Sequence, residues 1–169
     1  MKRRHFLTGA AGLSALSLLG IGALAGGKQV AGKVEKIERT EAQWREILTP
    51  EQFHVLREEG TEPPFTSPLN DEKRRGTYLC AGCELPLFTS EMKYDSGTGW
   101  PSFFTHIDGR LETKLDFKLI LPRTEYHCAR CGGHQGHVFE DGPEPTGERW
   151  CNNGVALKFV PAESADTTS

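Results

Sequence analysis

Two pairs of closely spaced cysteines constrain this chain more than any other feature of its 169 residues. Segments 80–83 (CAGC) and 128–131 (CARC) both have the spacing C-x-x-C. Two residues between thiolates allow a tight turn to direct both sulfurs at one tetrahedral ion, at about 2.3 Å. The pairs together predict a closed, structural zinc site with the ligands Cys80, Cys83, Cys128 and Cys131.

Disulfides are the alternative use of these four cysteines, since an exported protein meets an oxidising compartment. A C-x-x-C disulfide closes too small a loop to stabilise much, and a redox pair normally opens a helix after a strand. The 44 residues between the pairs exceed the usual zinc-ribbon gap. We therefore expect the metal to connect distant parts of one β domain.

The first 25 residues have the pattern of an export signal. They contain three cations and no acid, then an apolar Gly- and Ala-rich run, then the small-x-small sequence ALA at 23–25. The pair Arg3-Arg4 resembles the twin-arginine signature, which would send a folded, zinc-loaded protein to the periplasm. An uncleaved N-terminal anchor is the alternative, although Gly and Ser dilute the run. With a cleaved signal, we expect only a transient contact with the membrane.

Charge argues against nucleic acid as a partner. Without residues 1–25 the chain carries 17 cations against 23 acidic residues, a net charge of −6. A phosphate backbone attracts basic surfaces, so this balance is unfavourable for binding it.

The remaining chain predicts a single domain over residues 40–161, after a tether at 26–39 and before a flexible tail at 162–169. Capping-box patterns at Thr40 and Thr49 predict two short helices. We expect buried faces formed by Trp44, Ile47 and Leu48 on the first helix and by Phe53 and Leu56 on the second. A proline-rich connector at 61–76 is expected at the surface. Strands are predicted at 77–80, 86–89, 113–121, 124–128, 136–140 and 155–160, which indicates a mainly β fold.

Cys151 is the fifth cysteine, and it has no partner once the other four bind zinc. A free cysteine is most often a small buried hydrophobic residue. If 149–153 is extended, however, Arg149 and Asn153 lie on the same face as Cys151. A cation and an amide donor beside the sulfur favour the thiolate and hence a nucleophile.

Two histidines, His134 and His137, follow the second cysteine pair. Zinc ligation, a structural role and a role as proton donors or hydrogen-bond anchors near the thiolate are the three interpretations. Four cysteines already complete a tetrahedron, which argues against the first. We expect His54, His106 and His127 at the surface.

The segment YDSGTGWPSF at 94–103 presents Trp100 on a glycine-flanked loop. Aromatic residues at such spacing are more often core, as we expect for Phe103 and Phe104. Trp100 on this loop is instead a candidate for one wall of an apolar substrate pocket.

These pieces resemble the type B methionine sulfoxide reductases, which are specific for the R epimer at sulfur. The resemblance covers roughly residues 40–161 and rests on YLCAGCELPLF, YDSGTGWPSF and RTEYHCARCGGHQGHVFEDGPEPTGERWCNNGVALKFVP in family order. It implies two antiparallel sheets with short N-terminal helices, and a zinc ion on the four paired cysteines.

The resemblance also implies roles for individual residues. Cys151 would attack the sulfoxide sulfur and become a sulfenic acid. His134, His137 and Asn153 would polarise or protonate the sulfoxide oxygen, and Trp100 would pack on the substrate methyl group. Arg149 and Asp141 match supporting positions.

One departure from the family concerns the return of Cys151 to the thiol. Many members have a resolving cysteine where this chain has Thr98, so we expect an external thiol donor, thioredoxin-like or other. Asn152 and Gly154 also replace more usual residues. The rival interpretation is a zinc-stabilised binding module in which Cys151 is part of the core.

Overall fold

The computed structural model describes residues 34–117 and 122–163. The predicted export signal at 1–25 and the last six residues of the predicted tail lie outside these ranges. Within the predicted tether, the Ile37 N–H donates to the Arg130 carbonyl (2.9 Å), and Val34 and Ile37 pack against the core. In the described ranges, no helix is long and apolar enough to cross a bilayer.

Two short helices begin the described domain, α1 at Glu41–Ile47 and α2 at Pro50–Glu58. Both have the predicted capping box: Thr40 accepts from the Gln43 N–H (3.3 Å), and the Gln43 side chain accepts from the Thr40 N–H (2.9 Å). The same reciprocal pair occurs at the start of α2. The caps satisfy backbone donors that a helix end otherwise leaves without partners.

The buried faces of the helices are largely as predicted. Trp44, Leu48 and Phe53 are buried, and Leu56 is only 2% exposed. Ile47 is the exception, because its side chain is 51% exposed. The first helix is only two turns long, so a single row of contacts, centred on Trp44, is enough to hold it against α2.

The strands form two antiparallel sheets, which confirms the predicted fold class. The smaller sheet has the order β2-β1-β9, with β1 at Gly76–Cys80, β2 at Pro86–Thr89 and β9 at Leu157–Pro161. The larger sheet has the order β3-β4-β8-β7-β6-β5. Its strands are β3 at Lys93–Tyr94, β4 at Ser102–Phe103, β5 at Leu111–Asp116, β6 at Arg123–Cys128, β7 at His134–Phe139 and β8 at Arg149–Asn152.

Aromatic side chains join the two sheets. Phe88 of the smaller sheet stacks on Phe103 of the larger sheet with ring centroids 4.0 Å apart, and Tyr78 meets Phe103 edge-on at 5.0 Å. Tyr126 packs against Trp150 at 4.9 Å. Burial of each such ring contributes about 1.5–3 kcal/mol, so this layer holds β4 and β8 rigidly against the core.

Candidate active site

Cys151 lies on β8, between two neighbouring strands of the larger sheet. It is paired with Ser102 on β4 and with His137 on β7. Directly paired residues of antiparallel strands project their side chains to the same face, with Cβ atoms about 4.5–5.5 Å apart. Backbone pairing therefore aligns a hydroxyl, a thiol and an imidazole in one row across the sheet.

A small open cleft of about 100 Å³ lies over this row. Its lining combines apolar and polar side chains: Thr61, Trp100, Arg123, Gly136, His137, Phe139, Cys151, Asn152 and Asn153. Trp100 lines the cleft, as the glycine-flanked loop predicted. Its indole N–H donates to the Glu62 carbonyl (3.0 Å), which fixes the orientation of the ring. Gly99 has φ +92°, and a Cβ there would lie 2.8 Å from the Phe65 backbone.

The electrostatics of Cys151 are a balance of burial and nearby donors. Burial raises the pKa of the Cys151 thiol, while the Arg149 cation and hydrogen bonds from Thr98 and Arg149 act in the opposite direction. Arg149 is itself held by Asp141, through Nε–Oδ1 (2.8 Å) and Nη2–Oδ2 (2.9 Å) contacts. This bidentate pair fixes the position of the Arg149 guanidinium, while the charge of Asp141 itself raises the pKa of Cys151.

His137 is held by a carboxylate and lines the cleft. Its Nε2 lies 2.9 Å from Asp116 Oδ2, and Arg123 Nη2 reaches the same oxygen at 2.7 Å. Burial lowers the pKa of His137, and the hydrogen bond to Asp116 partly offsets this effect. The carboxylate orients the imidazole, as a partner on one ring nitrogen does in proton-transfer sites. Asp116 and Arg123 were not among the predicted site residues, because their relation to His137 exists only across the strands.

His134 lies behind His137, with ring centroids 5.5 Å apart. It is almost fully buried, its Nδ1 contacts Glu125 Oε1 at 2.8 Å, and burial lowers its pKa. Among the described residues, its Nε2 has no hydrogen-bond partner. It is not among the residues that line the cleft. His137 is therefore the histidine of the pair that reaches the cleft.

The other histidines differ in exposure. His54 is exposed, as expected. His106 is partly buried, since one side of its ring packs edge-on against Trp150 at 4.3 Å. The side chain of His127 is only 19% exposed, so it too is largely covered.

Asn153 lies just past the end of β8, so the predicted alternation stops at Asn152. Asn153 Oδ1 accepts from the Glu62 N–H (3.0 Å), and its Nδ2 donates to the Gln135 carbonyl (3.0 Å). The Asn153 N–H donates to the same carbonyl at 2.8 Å. Its amide thus connects three chain segments at the edge of the cleft.

Glu62 is a residue of the site that the sequence did not indicate. We expected the connector 61–76 at the surface, yet Glu62 is only 6% exposed. Its carboxylate accepts from the backbone N–H groups of Gly154 and Val155, the latter at 3.0 Å. Burial raises its pKa, and the two donors act against that rise. Together with its backbone contacts to Trp100 and Asn153, Glu62 joins both walls of the cleft.

A side chain at position 154 would have no room. A Cβ at Gly154 would lie 1.8 Å from Ser67 Oγ. Ser67 is buried, so the space that a side chain at 154 would need is already filled.

The four paired cysteines form a second site, separate from the cleft. Their sulfurs lie within 4.8 Å of one another, with Cys80–Cys131 at 3.6 Å and Cys83–Cys128 at 3.5 Å. Four ligands at 2.3 Å from a tetrahedral centre are about 3.8 Å apart, so the cluster fits a single ion of zinc size. Gly132 has φ +67°, the left-handed conformation that its turn requires.

A two-sheet β domain with a four-cysteine metal site and a separate, half-buried cysteine in an aromatic-walled cleft has the features of a thiol-dependent reductase. The family comparison is more specific. The chain belongs to the SelR domain family, whose model matches residues 48–161.

Curated relatives cover most of the same region. The peptide methionine sulfoxide reductase MsrB of Methanosarcina mazei is 52% identical over 129 residues, 76% of this chain and 92% of the relative. The protein of the same name from Pseudomonas putida is 52% identical over 134 residues, 78% of this chain and its own full length. The one from Agrobacterium fabrum is 51% identical over 127 residues, 75% of this chain and 94% of its own.

Proposed function

We propose that this protein reduces the R epimer of methionine sulfoxide, mainly in oxidised proteins, with Cys151 as the nucleophile. The observation that carries the proposal is the pairing of Cys151 with His137 across β8 and β7, inside a cleft that Trp100 lines. A soft thiolate suits attack on sulfur, and an aromatic wall suits the apolar methyl group. The names of the relatives in the SelR family support this substrate class.

The chemical step transfers one oxygen atom from the substrate to the enzyme. The Cys151 thiolate attacks the sulfoxide sulfur while the oxygen takes up a proton, and methionine leaves as Cys151 becomes a sulfenic acid. The sulfoxide gains two electrons and the thiol loses two. His137 is the proton donor beside the oxygen, because Asp116 holds one of its nitrogens and the ring lines the cleft.

Supporting residues act on the thiolate and on the cleft walls. Arg149, fixed by Asp141, stabilises the ionised form of Cys151. Asn153 fixes the end of β8 through its hydrogen bond to the Gln135 carbonyl, and the His134 ring packs edge-on against the His137 ring. Hydrogen bonds within the protein hold these side chains in place, which favours a preorganised site.

Regeneration of Cys151 requires a thiol from outside the chain. Four of the five cysteines belong to the metal cluster, and Thr98 stands beside Cys151. Two external thiols reduce the sulfenic acid, releasing water and forming a disulfide on the donor. A thioredoxin-like protein or a small dithiol meets this requirement.

Zinc is the ion we assign to the four cysteines. Four sulfurs leave no open position for water or substrate, so its contribution is to hold together β1, β6 and the turns that follow them. The sequence at 1–25 is the basis for proposing export to the periplasm, where the enzyme would repair oxidised exported proteins.

The decisive assay measures turnover of both methionine sulfoxide epimers with dithiothreitol as the donor. We expect the wild type to reduce the R epimer only, and Cys151→Ser to lose turnover while it keeps its fold and its metal. Reduction of the S epimer alone, or equal activity in Cys151→Ser, would exclude the proposal. The second result would instead favour a binding module with a structural Cys151.

A further inference from the structure

A buried polar chain connects the four-cysteine site to the strand that carries Cys151. Gln135 donates from Nε2 to Cys80 Sγ (3.4 Å), and its Oε1 accepts from Asn152 Nδ2 (3.4 Å). Asn152 Oδ1 in turn accepts from the Tyr126 hydroxyl (2.8 Å). The side chains of Gln135, Asn152 and Tyr126 are all fully buried. The chain therefore runs through the interior from a metal ligand to the residue next to Cys151.

The side-chain amides of Gln135 and Asn152 are hydrogen-bond partners of each other. The second donor of Asn152 Nδ2 reaches the Asn153 carbonyl at 2.8 Å, so both N–H donors and the oxygen of the Asn152 amide have partners. A buried amide without partners costs about 1–3 kcal/mol. Loss of either Gln135 or Asn152 leaves the other amide incompletely bonded, whereas replacement of both by apolar residues removes both amides and leaves only the Tyr126 hydroxyl without its acceptor.

Gln135 is placed to act on the metal. A neutral N–H donor to a metal-bound thiolate offsets part of its charge and fixes its direction, and removal of such a partner typically costs 10–100-fold in metal affinity. Asn152 is different, because none of its hydrogen bonds in the described part of the chain reaches a cysteine sulfur. The side-chain hydrogen bonds from Asn152 to a cysteine sulfur run through Gln135, and Tyr126 offers a second route along β6 to Cys128.

We propose that the Gln135–Asn152 pair couples occupancy of the four-cysteine site to the position of the Cys151 strand. With the metal in place, Cys80 anchors the Gln135 amide, and Gln135 fixes Asn152 beside Cys151. When the metal leaves, Cys80 moves, the amide loses its anchor and β8 is held less firmly. The coupling goes beyond the proposed function and requires no turnover, so it can fail or hold independently of the reductase activity.

The first measurement is the rate at which zinc-loaded protein transfers its metal to a chromophoric chelator. Gln135→Met, close in size but unable to donate, is expected to release zinc about tenfold faster than the wild type. Gln43→Met is the matched control, since it removes an exposed amide at the start of α1. Release from Gln135→Met within twofold of the wild type would overturn the proposal.

A double-mutant cycle tests the connection itself. Asn152→Leu should release zinc about threefold faster than the wild type, although it touches no sulfur. In the Gln135→Met background the same change should have no further effect on release. The double variant should regain melting temperature relative to Asn152→Leu, because the Gln135 amide that Asn152→Leu leaves without a partner is then absent. The coupling would be contradicted if Asn152→Leu released zinc at the wild-type rate. It would also be contradicted if Asn152→Leu accelerated zinc release by the same factor with and without Gln135→Met. If Asn152→Leu does not fold, Asn152→Ala takes its place with the same expectations.

The second measurement reads the coupling from the cleft. Bound zinc shields four thiols, so alkylation of zinc-loaded protein by iodoacetamide reports Cys151, as peptide mass spectrometry can verify. Gln135→Met should alkylate at Cys151 at least threefold faster than Gln43→Met, because β8 is held less firmly. Equal rates in the two variants would show that the pair does not reach the cleft.

Discussion

Cys151 and His137 are paired directly across β8 and β7, and both side chains line one cleft. One is a half-buried thiol and the other an imidazole held by Asp116. The pKa of the thiol is raised by burial and that of the imidazole is lowered by burial. Both shifts favour the neutral form of the group near neutral pH. In the proposed mechanism, the thiolate and the imidazolium are therefore the minor protonation states of the two groups.

Substitution of Arg149 should make Cys151 less reactive. Arg149 lowers the pKa of Cys151 against the effect of burial, so Arg149→Met raises that pKa further. The thiolate fraction at neutral pH then falls, by about tenfold for each unit of pKa. Alkylation of Cys151 followed from neutral to alkaline pH should show the midpoint shifted upward. Arg45→Met, on the exposed side of α1, should leave the midpoint in place; an unshifted midpoint in Arg149→Met would contradict the assigned role.

Substitution of His137 should separate proton transfer from thiol reactivity. His137→Asn removes the acid while it keeps a polar side chain, and loss of a general acid typically costs 10²–10⁴-fold in rate. We expect a fall of about that size in kcat/KM for the R epimer. Alkylation of Cys151 needs no proton donor and should stay within a few-fold of the wild type. If kcat/KM and the alkylation rate of Cys151 fell by the same factor, His137 would act on the thiol rather than as the proton donor.

Removal of the Glu62 carboxylate should weaken the whole edge of the cleft. Glu62→Ala leaves the buried N–H groups of Gly154 and Val155 without acceptors, at a cost of about 1–3 kcal/mol each. We expect the free energy of unfolding, from urea titration, to fall by about 2–4 kcal/mol. Glu62→Gln keeps one acceptor oxygen but sets its NH2 donor against the other backbone N–H, so it should recover at most about half of the loss. The exposed Glu46→Ala should change little.

Removal of the metal should lower the melting temperature of the domain, although the metal site is separate from the cleft. The four thiolates lie within 4.8 Å of one another, so without an ion they must take up protons or repel. Chelation, or Cys128→Ser, should lower the melting temperature strongly. Metal content measured on acidification should fall as the thiolates are protonated. A melting temperature independent of chelator would refute the structural role.

Oxidation by one substrate turnover should leave no internal disulfide. Thr98 lies beside Cys151 and has no thiol with which to form a disulfide. The other four cysteines are grouped in the metal cluster. Mass spectrometry after a single turnover without reductant should find Cys151 as a sulfenic acid or its trapped adduct. A bridge between Cys151 and one of the paired cysteines would identify a resolving residue and contradict the external donor.

Local patterns were sufficient for the helices and for the metal ligands. The capping boxes at Thr40 and Thr49 and the two C-x-x-C turns depend on residues three or fewer positions apart. Interactions at such short separation are encoded in the chain itself. The alternating runs between turn residues also predicted a mainly antiparallel β domain, whereas its division into two sheets was implied only by the family resemblance.

Element ends and the short strands were less predictable. β3 and β4 have two residues each, too few for any alternation to be visible. The predicted strand at 155–160 begins instead with a short helical turn at Gly154–Ala156, which Glu62 holds through its backbone N–H groups. A contact of 92 positions in sequence separation cannot be inferred from local pattern.

The sequence by itself was enough to propose which residues carry the chemistry: a lone cysteine, two nearby histidines and a loop tryptophan beside two metal-binding turns. Only the tertiary structure decided how they are arranged. Strand pairing put His137 rather than His134 beside Cys151, and the fold brought Asp116 and Glu62 to them. The physical reason is that residue type sets what a side chain can do, whereas strand register and the burial of distant segments set what it meets.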